Sequence, residues 1–199
     1  MLFVIYFYIV SFIIGIFCRI KVTGAEYLPD GSAIICGNHT SLLDPIVIAL
    51  AMYRERRQKS KFMAKIELSR VPVLSWLIKP FVIFVDRGNS DRKAIKDTID
   101  LLRKGEKIII FPEGTRVNAG EDSKAKTGVA LISIKSEAPL VPVYLTEGKK
   151  NLFRFPKLTV SFGKPYLPQK EEGLSTSESY RKIADDLMGR IRALKGEGV

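Results

Sequence analysis

Seven short apolar runs punctuate this chain, at Ile20–Val22, Ala33–Cys36, Lys61–Ala64, Phe81–Val85, Lys107–Phe111, Leu140–Leu145 and Leu158–Phe162. Each has the length of a strand. Between them the apolar positions take up a helical period. Ile95, Ile99 and Leu102 lie at i, i+4 and i+7 within Asp91–Lys104, where Ser90 can cap and Gly105 can end a helix. A second helical stretch covers Thr127–Lys135. A third covers Ser175–Leu194, where Ser175 and Glu178 have the spacing of a capping box and Ile183, Leu187, Ile191 and Leu194 form one stripe. A further helix is read at Asp44-Pro45, with Asp44 as N-cap, Pro45 as first helical residue and Ile46–Leu50 as its buried face. Strands alternating with helices predict an α/β fold, with a mostly parallel or mixed sheet covered by helices. The 199 residues suit one such domain, read as residues 19–199. The polar stretches Gly88–Asp91, Val117–Lys126 and Gly163–Gly173 read as loops, the second long enough to face a substrate.

Three of the runs end directly in polar clusters. Ala33–Cys36 leads to Asn38-His39, Phe81–Val85 to Asp86-Arg87, and Lys107–Phe111 to Pro112-Glu113-Gly114-Thr115-Arg116. If these strands are parallel, the clusters share the crevice at the carboxyl ends of the strands. His39 is the only histidine, and it precedes Asp44 by five residues. Along a helix that spacing leaves the two side chains roughly 140° apart, and along a strand it puts them on opposite faces. They meet only if the chain turns back between them, as Asn38, Thr40 and Ser41 favour. Once paired, the carboxylate fixes the imidazole tautomer and leaves the other ring nitrogen to act as a general base. The alternative is a surface loop in which Asp44 only caps a helix. Arg87 and Arg116 have the planar fork that grips a phosphate, and Glu113 suits a hydroxyl or an arginine. For each of these the plain reading is a strand-end ion pair at the surface.

Residues Met1–Cys18 (MLFVIYFYIVSFIIGIFC) change the picture, because they carry no charge. At about 1.5 Å per residue they cover ~27 Å, close to the hydrocarbon thickness of a bilayer. The nearest basic residues, Arg19 and Lys21, follow the run rather than precede it, unlike a cleaved signal peptide. Residues 1–18 are therefore read as an N-terminal membrane-anchoring helix, with the domain on the cytoplasmic side. Lys and Arg (32) exceed Asp and Glu (21), for a net charge of +11, so the partner is anionic. Beside a membrane that means acidic lipid before nucleic acid, for which no recognition motif is present. Cys18 and Cys36 have no metal or redox spacing. A lesser reading makes Cys36 an acyl-accepting thiol.

The segments NHTSLLDP around His39 and Asp44, Val85-Asp86-Arg87, Phe111-Pro112-Glu113-Gly114-Thr115-Arg116 and Val141-Pro142-Val143 resemble, in that order, the four blocks of the glycerolipid acyltransferases. The likeness is greatest to the 1-acylglycerol-3-phosphate (lysophosphatidate) acyltransferases, and it runs from about Ile20 to Phe162. Lys61–Leu68 and Lys126-Thr127-Gly128 are similar too. The resemblance implies His39 as catalytic base and Asp44 as its partner. It further implies that Glu113, Gly114, Thr115 and Arg116 bind the glycerol phosphate, with Arg87 on the phosphate and Lys65 near the site. Val141-Pro142-Val143 would be structural or border the acyl pocket. The second block departs from the family pattern, with Pro80-Phe81-Val82 where a glycine is usual.

On this reading the activity is transfer of a fatty acyl chain from a thioester to the sn-2 hydroxyl of 1-acylglycerol 3-phosphate, forming phosphatidic acid at the cytoplasmic face of a bacterial inner membrane. Acyl-CoA or acyl carrier protein would be the donor, and no metal or other cofactor is called for. Three rivals stand beside it. One is the same chemistry on glycerol 3-phosphate or another lysophospholipid. Another is a membrane lipid-binding protein without catalysis, which would be free to lose His39 or Asp44. The third is a His–Asp hydrolase, which needs water where an apolar site tends to exclude it.

Overall fold

The computed structural model describes residues 19–65, 82–85, 91–116, 124–147 and 157–196. All seven apolar runs form strands: β1 (Arg19–Thr23), β2 (Ala33–Gly37), β3 (Lys61–Lys65), β4 (Val82–Val85), β5 (Lys107–Ile110), β6 (Leu140–Glu147) and β7 (Lys157–Phe162). The helices are α1 (Asp44–Arg56), α2 (Asp91–Arg103), α3 (Gly128–Ser136) and α4 (Thr176–Ala193). The strands make one mixed sheet in the order β1-β7-β6-β2-β5-β3-β4. From β6 to β4 every neighbouring pair is parallel. β7 pairs antiparallel with β6, and β1 lies parallel to β7 at the sheet edge.

Alternation along the central strands sorts the core into two layers. Ala33 and Ile35 of β2 and Val141, Val143 and Leu145 of β6 pack with Val47, Ile48, Ala51 and Met52 of α1. Ile34, Cys36, Ile108 and Leu140 point to the other face, where Leu102 of α2, Val129 and Ile132 of α3, and Ile183, Leu187 and Ile191 of α4 cover them. Such burial on both faces explains why β2 reads as an unbroken apolar run rather than an alternating one. α4 starts with the capping box expected of Ser175 and Glu178: each side chain bonds the other's backbone N–H.

Residues 1–18, the expected anchor, lie outside the described residues, as do Arg87 and most of the Val117–Lys126 loop. Among the described residues no helix is long and apolar enough to cross a membrane.

Candidate active site

β2 and β5 are parallel neighbours, so the segments that follow them leave the sheet at one edge. Two residues fasten the first of these segments. Where β2 ends, the outward-facing N–H and C=O of Leu145 on β6 lose their ladder partner. The Asn38 side chain replaces it, with Nδ2 donating to the Leu145 carbonyl at 3.1 Å and Oδ1 accepting from the Leu145 N–H at 2.8 Å. One residue on, the His39 N–H donates to Glu113 Oε2 at 3.0 Å. The loop is thus tied to β6 on one side and to the turn after β5 on the other.

The chain then reverses, and the five-residue gap closes. His39 Nδ1 lies 2.9 Å from Asp44 Oδ2. The N–H groups of Thr40 and Ser41 donate to the same oxygen, each at 2.7 Å. These bonds, together with the start of α1, where peptide dipoles favour negative charge, offset the cost of a carboxylate on a side chain only 6 % exposed. Asp44 is not the N-cap, contrary to its sequence pattern. Leu43 holds that position without a side-chain cap bond, and Asp44 and Pro45 begin the helix. The reason is direction: the carboxylate faces back into the turn and the imidazole instead of forward to the helix amides.

His39 is also held by stacking on Phe111, with ring centroids 4.1 Å apart and planes inclined by 17°. A ring nitrogen facing an ionised carboxylate serves as a donor, so Nδ1 carries the proton and Nε2 a lone pair. The His39 side chain is 18 % exposed, so the ring is not sealed from solvent. An imidazole so oriented can remove a proton from a hydroxyl.

The turn after β5 supplies the surroundings. Gly114 has φ +74°, which a side chain would strain, and a Cβ there would fall 2.5 Å from Cε and 2.8 Å from Nζ of Lys126. The Lys126 side chain therefore lies across Gly114, and the backbone N–H of Lys126 donates to the Pro112 carbonyl at 2.7 Å. Glu113 sits near the Tyr144 hydroxyl, whose pKa is raised by burial first and by the Glu113 charge second. Thr115 and Arg116 continue the turn, both exposed.

The fold thus brings His39, Asp44 and Glu113 into one bonded cluster, with Gly114, Thr115 and Arg116 in the turn beside it. Lys65 ends β3 opposite Val85 at the same edge of the sheet, its side chain outside the described part. Arg87 follows β4 and lies outside the described residues. Cys36 is fully buried, and burial pushes its thiol far above the ordinary range, so it does not form a thiolate that could accept an acyl group. Val141 and Val143 are core residues, as a structural fourth block requires. Sequence reasoning passed over three contributors: Asn38 as a brace, Phe111 as a platform and Lys126 as a cation over the turn. All three lie in segments that carry the family resemblance, so the signal was their place in those segments, while the role of each came only from the backbone path. Among the described residues no group of side chains could hold a metal ion.

A family model described as Acyltransferase matches residues 19–146, which contain every residue of the cluster. A 1-acyl-sn-glycerol-3-phosphate acyltransferase of Bacillus subtilis is 31 % identical over 186 residues, 88 % of this chain and 91 % of that protein. The chain belongs to the acyltransferase family, among its 1-acyl-sn-glycerol-3-phosphate acyltransferases. A relative with the same description from Borreliella burgdorferi is 34 % identical over 131 residues, 64 % of this acyltransferase and 51 % of the longer protein. The crystal structure of the 1-acyl-sn-glycerophosphate acyltransferase PlsC from Thermotoga maritima superposes with a TM-score of 0.68 at 27 % identity, covering 90 % of this chain and 72 % of that one.

Proposed function

We infer that this acyltransferase esterifies the sn-2 hydroxyl of 1-acylglycerol 3-phosphate with a fatty acyl chain from a thioester, releasing the free thiol and phosphatidic acid. The observation that carries the reading is the His39–Asp44 pair, locked between β6 and the Glu113 turn, in a chain similar over most of its length to enzymes described by that reaction. In the reaction, His39 Nε2 takes the proton of the acceptor hydroxyl while Asp44 compensates the charge gained by the ring. The oxygen attacks the thioester carbonyl. The tetrahedral intermediate collapses by breaking the C–S bond, and the departing sulfur takes the proton back from His39.

The oxyanion of that intermediate needs donors. The N–H groups of His39, Thr40 and Ser41 are already committed to Glu113 and Asp44, so these three do not supply them. Lys126, whose side chain lies across Gly114 in the turn that is bonded to His39 through Glu113, is the cation we assign to the oxyanion. We assign Arg116, exposed in the same turn, to the acceptor phosphate, with Glu113, Thr115 and the Gly114 backbone completing the glycerol phosphate site. Arg87 and Lys65 are assigned to the same site by their sequence blocks. The donor is acyl-CoA or acyl carrier protein, since the net charge of +11 suits either anionic carrier. The enzyme works at the cytoplasmic face of a bacterial membrane, held there by Met1–Cys18.

The test supplies membranes carrying the protein with each labelled acyl thioester and with lysophosphatidate, glycerol 3-phosphate and larger lysophospholipids in separate reactions. Label in phosphatidic acid is the expected result. Label chiefly in another lipid, or in free fatty acid, would replace this acceptor assignment.

A further inference from the structure

We propose that Leu42 and Leu43, at the tip of the turn between His39 and Asp44, enter the hydrocarbon layer of an anionic bilayer and so open the site directly onto the lipid phase. The proposal rests on the acceptor being a membrane lipid. Its first support is exposure. Leu42 is 65 % exposed and Leu43 48 % exposed, Leu42 being the most exposed of the large apolar side chains described. Both lie within the segment whose backbone N–H groups fold onto Asp44, so wherever the tip goes, His39 is a few residues away.

Topology gives a second, independent support. β6 runs parallel to β2, β7 is antiparallel to β6, and β1 is parallel to β7. β1 therefore begins at the edge of the sheet where β2 ends. Its first residue, Arg19, is paired with Lys157 at the start of β7. The uncharged run Met1–Cys18 is consequently joined to the domain on the same edge as His39, Leu42 and Leu43. Tyr27 and Leu167 follow the far ends of β1 and β7, so these exposed apolar side chains belong to the opposite edge.

Charge completes the assignment. Arg19 at the start of β1, and Arg116, Lys124 and Lys126 around the turn after β5, are exposed on the active-site edge. Apolar side chains flanked by cations match a surface in which hydrocarbon lies beneath anionic headgroups. A protein partner would have to match the same pattern while leaving a path for the acceptor. Lipid presents both the pattern and the acceptor. A lysophospholipid could then rise toward His39 without moving its chain through water.

The test uses the full chain with Trp76→Phe, which removes the only tryptophan, and with Leu42→Trp. A matching control carries Leu167→Trp, a position 51 % exposed at the opposite edge. Both are mixed with phosphatidylglycerol-containing vesicles whose acyl chains are brominated. Strong quenching at position 42 and little at 167 is the expected result. Position 42 unquenched in protein that floats with the vesicles would overturn the proposal, whether iodide reaches it from water or Met1–Cys18 shields it. As a second variant, Leu42→Glu should lower the rate on vesicle-borne acceptor by about tenfold, and on a monodisperse short-chain acceptor by less than about twofold. Equal losses on both would again overturn it. Quenching needs no turnover, so a protein quenched at 42 yet inactive on lysophosphatidate would refute the acceptor assignment and leave the tip in place.

Discussion

One carboxylate oxygen organises the site at the scale of single residues. Asp44 Oδ2 accepts from the His39 ring and from two backbone N–H groups, so it shapes the turn and orients the base at once. Asp44→Asn keeps the size but removes the charge and offers an N–H₂ toward the ring. It should lower kcat by at least about tenfold through the wrong tautomer, while KM for the thioester stays near the wild-type value. A steady-state comparison decides it, and an unchanged kcat would make Asp44 a turn-former only. On the substrate side, Arg116→Ala and Lys126→Ala address different steps. Loss of a charged hydrogen bond worth roughly 1.5–3 kcal/mol at Arg116 should raise the acceptor's KM, with lysine a poor substitute for the planar fork. Loss of the cation at Lys126 should fall mainly on kcat. Equal rises in donor and acceptor KM for Arg116→Ala, or an unchanged kcat for Lys126→Ala, would move that residue off its assigned role. The His39–Asp44 pair was legible because a single histidine and a nearby carboxylate share a turn-rich segment. The stacking of Phe111 and the seat of Lys126 on Gly114 were not, since both arise from backbone paths that sequence spacing does not specify.

Among the elements, the strands were the most legible part, because burial on both faces leaves continuous apolar runs such as Ala33–Cys36 and Lys107–Ile110. Their ends were less so: Phe111 continues an apolar run but leaves the ladder to lie on His39. The start of α1 misled for a related reason, because Asp44 has the identity of an N-cap and spends its carboxylate on the preceding turn. Strand order could not be read at all, since it depends on crossovers rather than on local pattern. Where β2 ends, Asn38 substitutes for a strand partner of Leu145. Asn38→Ala removes two hydrogen bonds of about 1 kcal/mol each and frees the loop that positions His39. Thermal unfolding should shift down by several degrees, and kcat should fall about tenfold as the base loses its alignment. Full activity in a destabilised protein would show that Glu113 and Phe111 hold the loop without Asn38.

For the whole molecule, the sheet assigns chemistry to one edge, where the carboxyl ends of the parallel strands meet the start of β1. The α/β class followed from the alternation of strands and helices. The shared edge followed only once β2, β5 and β6 proved parallel. Deleting Met1–Cys18 should leave a folded domain, since β1 starts at Arg19. In flotation assays that domain should bind anionic vesicles weakly and detach at high salt, because the remaining attraction is screened. Salt-resistant binding by the truncated protein would place the main anchor elsewhere. The account as a whole stands on His39 as the base for acyl transfer to lysophosphatidate. Its most direct test is the rate of labelled phosphatidic acid formation by purified full-length protein and by His39→Ala, matched by circular dichroism and melting temperature. The variant should be slower by about 10²–10⁴-fold, and a folded variant that kept more than about a tenth of the wild-type rate would contradict the mechanism.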